Sequence, residues 1–444
     1  MKKFVTLVII ATTILSMHAQ EGTSVVLLNY NSVVKKVEKS DSEIQDPKKN
    51  IKAATWFKRG ELFQDAFMVG LEQLQEGMAS ATLTLFYKEP TSIETETIEG
   101  ALHETYDYEH MVYTFVNGAL QEWKKKDPIH ENPLRVATDA YIKALELDDK
   151  GKLGDKIKEN LIELKSQLKR DGVNYYYTDN YSNALASFEN VLEINNMDLF
   201  AGEMDTIMVQ YSGIISREVA GKTDNDELYL KAIGYYEQLA EAGFGGPNTY
   251  LQIKMDYMAL GDTVKALETM KEAYKIYPDT VNVIANVADT YVQLKQIDEG
   301  IEFMEGVIAN NPNIAESYYW NGRLLINKED TESIDKAIES YKKAGELDPT
   351  IYYVWYDMGY IYYLQGADFY DRSNTEEHEA TRDRLLELGK EKYAEAIPAL
   401  EKAYELNVEN ETVKFETLDL LQRIYYKEQM MEQYERVKGL KENM

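Results

Sequence analysis

The 444-residue sequence contains no cysteine. This absence excludes disulfide bonds, thiolate metal sites and a cysteine for lipid attachment. Only nine prolines are present, and 48 Lys and Arg stand against 77 Asp and Glu. Few prolines favour a helical protein. The formal net charge of −29 argues against nucleic acid or an anionic membrane surface as the partner. Two interpretations of this charge stay open, namely solubility of exposed helix faces and attraction to a basic client.

Histidine is also rare, with five residues, and none stands in a His-Glu-x-x-His motif or another ligand spacing. His103 and His110 lie on neighbouring predicted strands, where ordinary exposed polar residues are the preferred interpretation. Residues 224–226 begin like a calcium loop, but Tyr229 stands where that loop requires glycine. We therefore expect no metal site, no cofactor and no catalytic residue, so the protein is predicted not to be an enzyme.

The first 19 residues have the pattern of a secretory signal peptide. Two lysines precede an apolar run over residues 4–17, and cleavage is expected after Ala19. The run is too short for a membrane-spanning helix. Together with the lack of cysteine, this pattern predicts an exported periplasmic protein that is not a lipoprotein and does not insert into the membrane.

One pattern is written twice between Tyr250 and Pro312, at a spacing of 34 residues. Large residues come first, a small residue follows in the second helix, and proline ends the unit. A period of this length predicts stacked helix pairs, and the pattern resembles the tetratricopeptide repeat (TPR) family. The two copies are Tyr250, Tyr257, Ala266, Met270, Ala273 and Pro278, and then Ile284, Tyr291, Gly300, Met304, Val307 and Pro312.

The pattern continues on both sides, so that about seven units and a polar C-terminal cap are expected. Each unit is expected to pair a first helix with a second helix. A charged insertion at about 366–390 separates the helices of the last full unit. The residues assigned to first and second helices are Gly172 and Tyr175 with Ala184, Phe188 and Val191, Gly213 with Ala232, Tyr236 and Leu239, Tyr318, Gly322 and Leu325 with Ala337, Tyr341 and Ala344, Trp355, Met358, Gly359 and Tyr362 with Ala396, Leu400 and Ala403 and, across a much longer gap, Trp56, Gly60 and Phe63 with Ala137, Tyr141 and Ala144.

The predicted fold is therefore all-α, a right-handed TPR superhelix (α-solenoid) that carries a small inserted α+β module. The expected organisation is a signal peptide (1–19), an N-terminal helix and first TPR helix (20–66), the inserted module (67–132), a TPR array (133–412) and capping helices (413–444).

The inserted module is marked by alternating instead of helical periodicity. Asn117-Gly118 is a strong two-residue hairpin signal, and Glu99-Gly100 is a second turn. A short helix from Gly77 to Tyr87 precedes the strands. Strands are predicted at 92–98, 101–108, 110–116 and 119–123.

A Gly-Met start, a short helix and a proline before an antiparallel sheet resemble the SmpA/BamE-like fold of small outer-membrane assembly proteins. Lys88 departs from the glycine expected before the proline. The resemblance implies contact with an outer-membrane complex, and an independently evolved hairpin is the alternative. The residues that carry the resemblance are Gly77, Met78, Leu83, Tyr87, Pro90, Tyr106-Asp107-Tyr108 and Val112 to Gly118.

The resemblance to TPR proteins implies that first helices line a concave groove. On the helix that begins near Tyr352, one stripe (Trp355, Met358, Gly359 and Tyr362) is expected to pack and a second stripe to face the groove. Alternatively, the tyrosines pack against the insertion after Gly366. The predicted partner-binding residues are Tyr353, Tyr356, Tyr360 and Tyr363, with Tyr319, Arg323 and Asn327 from the preceding unit and Leu251, Met255 and Met258 from an earlier one.

The sequence thus predicts a non-enzymatic adaptor that holds a peptide or helix of an envelope protein in an aromatic groove. One alternative is an accessory subunit of an outer-membrane assembly or secretion complex, which makes contact through the inserted module. An alternative of another class is a glycan- or metabolite-binding protein, or an enzyme, on a helical scaffold.

Overall fold

The computed structural model describes residues 27–444 except 76, 201–203 and 408–409. The predicted signal peptide lies outside these residues. The protein is mostly helical, about 71%, and 18 α-helices and one four-stranded antiparallel sheet lie in the described part. The chain divides into two compact units, unit 1 up to Leu239 and unit 2 from Ala240. None of the described helices has the length and apolarity needed to cross a bilayer.

Unit 1 combines helices with the sheet. Its elements are α1 (Tyr30–Gln45), α2 (Ala53–Met68), α3 (Ser80–Phe86), β1 (Ser92–Ile98), β2 (Ala101–Asp107), β3 (Met111–Val116), β4 (Ala119–Lys125), α4 (Pro133–Glu146), α5 (Gly154–Tyr177), α6 (Tyr181–Asn195), a 3-10 turn (Asp198–Phe200), α7 (Thr206–Thr223) and α8 (Asp226–Glu241), which ends just past the boundary.

The described elements of unit 2 are all helical. They are α9 (Pro247–Ala259), α10 (Thr263–Ile276), α11 (Val281–Gln293), α12 (Ile297–Asn310), α13 (Ala315–Ile326), α14 (Thr331–Leu347), α15 (Tyr352–Thr375), α16 (Glu379–Leu406), α17 (Glu411–Lys427) and α18 (Met431–Glu442).

Several helices begin at an Asn or Asp whose side chain accepts a hydrogen bond from a backbone N–H in the first turn. In α10, for example, Asp262 accepts from the N–H of Lys265, and in α14 Asp330 accepts from the N–H of Ser333. These caps satisfy donors that the helix itself leaves unpaired. They fix where second helices begin, immediately after a short turn.

Glycines of first helices lie against large residues of second helices. A Cβ added at Gly322 would lie 2.6 Å from a ring carbon of Tyr341. Such contacts bring two helix backbones close together. The same kind of contact joins Gly60 to Tyr141, Gly172 to Phe188, Gly213 to Tyr236 and Gly359 to Leu400.

The charged insertion at 366–390 lengthens a helix pair. α15 continues to Thr375 and α16 begins at Glu379, so the two helices extend side by side beyond the usual TPR length. Gly366 lies against the ring of Tyr393, and Gly389 lies against the ring of Tyr370. The insertion therefore continues the helix pair and repeats its glycine-aromatic packing.

The sheet has the strand order β1-β2-β3-β4. Both predicted turns have left-handed backbones, with φ of 49° and 83° at Glu99-Gly100 and 51° and 79° at Asn117-Gly118. This geometry matches the twist of a two-residue hairpin. A register shift near Thr114 separates the ends of the β3-β4 ladder.

The sheet shares its core with the helices of unit 1. Phe115 and Tyr113 of β3 are fully buried, in one apolar cluster with Phe63 and Phe67 of α2. The hydroxyl of Tyr113 donates to the carbonyl of Gly70 at 2.6 Å. The sheet is thus part of the unit 1 core and not a loop that could be removed without exposing α2.

Candidate functional site

The predicted binding residues of α15 are positioned by the opposite face of that helix. Val354 and Met358 are buried in the unit 2 core. Trp355 is half-buried, and its indole N–H donates to the carbonyl of Pro349 at 3.1 Å. The Lys402 ammonium lies 3.7 Å from the centre of the indole ring, a cation-π contact. These contacts fix one stripe of α15 against the unit 2 core. The second stripe lies on another face of the same helix.

We call that second stripe, Tyr353, Tyr356, Tyr360 and Tyr363, the tyrosine surface. The rings of Tyr356 and Tyr360 are parallel, with centroids 6.2 Å apart. Tyr356 is half-buried, and its hydroxyl donates to Glu416 of α17 at 3.0 Å. Tyr360 is 41% exposed. The exposed ring thus lies beside one whose orientation is fixed by the neighbouring first helix.

Tyr353 belongs to a network that joins α13 to α15. Its ring lies 4.6 Å from the ring of Tyr319, centroid to centroid. The Tyr319 hydroxyl donates to a carboxylate oxygen of Asp357 at 3.1 Å, and Arg323 donates to the same oxygen at 3.3 Å. Burial raises the pKa of Asp357, while the charge of Arg323 and the hydrogen bonds oppose the rise. The network holds a carboxylate between two first helices.

Two predicted binding residues take part in packing. Tyr319 is only 9% exposed, so it supports the surface from behind instead of facing a partner. Tyr363 lies parallel to Tyr393 of α16 at 5.7 Å. Tyr393 lies just past the insertion at 366–390, so this contact differs from the alternative in which the tyrosines pack against the insertion itself. The sequence pattern does not distinguish exposed tyrosines from tyrosines that pack against neighbouring helices.

The remaining predicted residues are dispersed. Arg323 and Asn327 are exposed on α13, and the Asn327 amide donates to the Arg323 carbonyl of its own helix at 2.8 Å. Met255 of α9 is 54% exposed, whereas Leu251 and Met258 are half-buried. α9 packs against α10 and α11. The structure therefore groups the α13 and α15 residues and leaves those of α9 on another part of unit 2.

A second candidate region, which periodicity did not reveal, lies in unit 1 between β4, α4, α5 and α6. It is a cavity of about 930 Å³. The Lys125 ammonium donates to the carbonyls of Ala66 and Phe67 at the end of α2, and its burial lowers its pKa to about 8. Burial raises the pKa of Asp171 to about 7, against the charge of Lys125. Asn190 is 4% exposed, and its amide oxygen has no hydrogen-bond partner.

No sequence signal points to this cavity, because its walls come from elements far apart in the chain. Asp171 directly precedes Gly172 of the packing stripe. Its carboxylate lies near Lys125 of β4 and 3.5 Å from the Ser187 hydroxyl of α6. A charged residue next to a packing glycine is the one feature that could have drawn attention to it.

The histidines are not grouped. His110 stacks on Tyr30 at 3.9 Å and lies 3.3 Å from a carboxylate oxygen of Asp127, whereas His103 pairs with Glu96 across the sheet. Within the described ranges, no group of three or more His, Cys, Asp or Glu side chains is arranged to hold a metal ion.

Residues 257–324 match a family model described as tetratricopeptide repeat, and residues 330–366 match one described as TPR repeat. These two regions of unit 2 are TPRs. BBSome complex member BBS4 from Bos taurus is 29% identical over 115 residues, which are 26% of this chain and 21% of that protein. The match therefore spans about a fifth of BBS4.

Similar solved structures are helical. IFIT1 in complex with m7Gppp-AAAA has a TM-score of 0.35 at 18% identity, over 71% of this chain and 69% of that chain. A TPR repeats protein from Bacteroides fragilis has a TM-score of 0.31 at 16% identity, over 62% of this chain and 98% of that chain. Likeness at this level gives no information about function.

Proposed function

We propose that the protein is a non-enzymatic adaptor that binds a peptide or helical segment of another protein at the tyrosine surface. TPR proteins in general bind other proteins, and two regions of unit 2 are TPRs. The observation that carries the proposal is the position of Tyr360. Its side chain is 41% exposed, and its ring lies parallel to the ring of Tyr356. The hydrogen bond to Glu416 fixes the orientation of Tyr356.

This arrangement suits binding because an anchored ring loses little conformational freedom when a partner covers it. Tyrosine also supplies a large contact area with a polar end, which is why it dominates binding hot spots. Tyr356 and Tyr360 are therefore the proposed anchors. Tyr319, Tyr353 and Tyr363 support them through contacts with α13 and α16.

We further propose that the adaptor works in the periplasm and that its partner is an envelope protein. The signal-peptide pattern of residues 1–19 and the lack of cysteine support export without lipid attachment. The net charge of −29 keeps the exposed faces soluble and disfavours self-association.

Site-specific photocrosslinking in the native envelope tests the binding surface. A photoreactive phenylalanine analogue would replace Tyr360 in one variant and Tyr426 in a control. Tyr426 is 66% exposed on α17, and its ring contacts Tyr434 of α18. We expect one adduct from position 360 that position 426 does not form. Identical adducts from both positions would contradict the assignment.

The identified partner segment then allows a measurement of affinity. Tyr360→Ala is expected to weaken binding by on the order of 2 kcal/mol, which is roughly 30-fold, because it removes an anchor. Tyr426→Ala should bind like the parent. Both substitutions are at exposed positions, so the melting temperature should hardly change. Parent-like binding by Tyr360→Ala together with a much lower melting temperature would show a packing role.

The unit 1 cavity favours a second candidate function, the binding of a small polar metabolite or glycan. Its volume of about 930 Å³ lies near the upper end for ligand sites, and Asn190, whose buried amide oxygen has no hydrogen-bond partner, is one of its lining residues. Thermal shift against a panel of sugars and amino acids tests this candidate. A shift that Asn190→Leu abolishes would support it, and no shift with any compound would count against it.

A further inference from the structure

The two edges of the sheet differ in how their backbone groups are satisfied. At the β4 edge, the Trp123 N–H donates to Asn174 Oδ1 at 3.0 Å, and Asn174 Nδ2 donates to the Trp123 carbonyl at 3.1 Å. The Leu120 N–H donates to the Met78 carbonyl at 2.8 Å, and Gly77 donates to the Leu120 carbonyl at 3.2 Å. One side-chain amide and one chain segment thus act as strand partners and cover this edge.

The β1 edge has no such cover. In the described sheet β1 has a single strand neighbour, β2, and all seven of its residues are exposed. Its ladder with β2 is continuous over residues 92–98 and has no bulge. Edge strands normally carry a bulge, a proline, charged side chains, most often lysine, or a covering segment that blocks further pairing. Residues 92–98 have no bulge, proline or lysine, and in the described part of the chain they are exposed; the charges on this edge are those of Glu94 and Glu96.

The backbone groups that face outward follow from the register. The Leu102 carbonyl accepts from the Asn117 N–H at 2.7 Å, and the Leu102 N–H donates to Asn117 Oδ1 at 3.0 Å, so both face β3. Thr97, which is opposite Leu102, is therefore in a non-hydrogen-bonded pair. Its own N–H and C=O face away from β2. Because the pattern repeats every two residues, Thr95 and Ile93 have the same orientation.

The side chains around this edge define the partner. Ile93 and Leu102, on one face, are 50% and 43% exposed and would contact apolar side chains of an added strand. From residue 89 to residue 106 the chain contains five glutamates and no lysine or arginine. Glu94 and Glu96 lie on the other face of β1. An added strand with alternating apolar and basic residues would therefore be complementary on both faces.

We propose that the β1 edge is a docking site for an extended, basic segment of a partner protein, which adds to the sheet as a fifth strand. The main chain supplies the hydrogen bonds, Ile93 and Leu102 contact its apolar side chains, and Glu94 and Glu96 pair with its Lys or Arg. This site lies in unit 1, and its test does not depend on the tyrosine surface.

A second copy of the chain fits the edge less well. Antiparallel pairing of two β1 strands about Thr95 would place Glu94 of one copy directly opposite Glu96 of the other, twice. Like charges opposite each other destabilise strand pairing. The acidic edge thus selects against self-association and in favour of a basic partner.

The proline variant Thr95→Pro tests the role of the main chain. It removes one outward N–H and leaves the β1-β2 ladder intact, because proline is tolerated where the N–H faces solvent. Thr95→Ala is the matched control and keeps the N–H. The probe is a synthetic peptide of about eight residues with alternating Lys and Val, followed by fluorescence anisotropy at low salt. We expect at least a tenfold loss of affinity for Thr95→Pro and parent-like affinity for Thr95→Ala.

The charge requirement is tested with the double variant Glu94→Lys/Glu96→Lys, which should prefer a Glu-Val peptide over the Lys-Val peptide. If Thr95→Pro does not fold, a Lys-Val peptide methylated at alternate amide nitrogens replaces it and should bind the parent at least tenfold more weakly. Equal binding of the methylated and unmethylated peptides would overturn the proposal. So would a parent dimer in sedimentation that Thr95→Pro dissociates, since the occupant would then be a second copy.

Discussion

Units 1 and 2 contain the same helix contact in two different chain contexts. In unit 2, Gly322 of α13 lies against Tyr341 of α14, the helix that directly follows in the chain. In unit 1, Gly60 lies within 2.7 Å, measured from an added Cβ, of three ring atoms of Tyr141, and the whole sheet lies between them in sequence. Both rings are buried, at 1% and 0% exposure. The helix pair is therefore defined by this contact and not by the length of its connection.

The difference teaches where a repeat protein can accept an insertion. The turn between two helices of a pair carries little of the pair's packing, so it can be replaced by a folded segment. In unit 1 the replacement became part of the core, since Phe115 and Tyr113 of the sheet are buried with Phe63 of α2. The inserted module occupies the position of a connecting loop, but its buried side chains contribute to the stability of the unit 1 core.

The largest expected effect is at the two glycines. Gly60→Val and Gly322→Val should each lower the free energy of unfolding of their own unit by about 3 kcal/mol, because the added methyl groups overlap a buried ring. Hydrogen exchange by mass spectrometry assigns the loss to a unit. Similar losses would show that the long connection does not weaken the contact.

Each unit offers its own control for this measurement. Gly234 of α8 and Gly306 of α12 have no atom within 4 Å of an added Cβ. Gly234→Val and Gly306→Val should change stability by a few tenths of a kcal/mol, the difference in helix propensity. A much milder effect at Gly60 than at Gly322 would break the equivalence of the two pairs.

A smaller effect is expected where the sheet meets α5. Asn174 is 7% exposed and makes two hydrogen bonds with the backbone of Trp123. Asn174→Ala leaves that N–H and C=O without partners, which should cost about 2 kcal/mol. Exchange should rise in β4 and α5 while unit 2 keeps its protection.

The control for Asn174→Ala is Asn183→Ala, since Asn183 is an exposed asparagine of the neighbouring helix α6. Its effect should stay within about 0.5 kcal/mol. Equal, small effects of both variants would mean that the apolar core alone holds the sheet, and the insertion would then be more independent than its contacts indicate.

The sequence predicted the features that depend on local or periodic patterns. The hairpin turn at Asn117-Gly118 needs residues that tolerate positive φ, and the helix pairs recur at TPR spacing, so both were visible. The burial of Tyr319 was not, because it depends on Asp357 in the next unit. The continuation of α15 to Thr375 was also missed, since its packing partner lies beyond a charged stretch.

Among the candidate sites, too, those that depend on a local pattern could be predicted and those that depend on tertiary contacts could not. The stripe on α15 could be predicted from steps of three and four residues, although Tyr363 turned out to pack on Tyr393. The unit 1 cavity and the open β1 edge could not be predicted from the sequence. The first needs the docking of β4 against α5, and the second depends on which edge receives the Asn174 amide.

The smallest effect expected concerns pH and compares a partly buried carboxylate of each unit. Asp357 accepts from Arg323 and Tyr319, whereas Asp171 has Ser187 at 3.5 Å and the charge of Lys125. The pKa of Asp171 is raised to about 7 in the folded protein, above its ordinary value near 3.8. The folded state therefore binds the proton more tightly, and the stability contributed by this group is lost as pH rises from about 4 to about 7.

Asp171→Asn removes that loss. The stability of the parent relative to the Asn variant should therefore fall by about 1 kcal/mol between pH 4 and pH 7, less than the full pKa shift would give because the adjacent cavity admits water. Denaturant unfolding of both proteins, read by hydrogen exchange in unit 1, provides the measurement. Since the many other carboxylates titrate equally in parent and variant, only the difference matters. A constant difference across this range would place the Asp171 carboxylate in an environment as well solvated as an exposed one, and the contrast between the two units would then lie in packing alone.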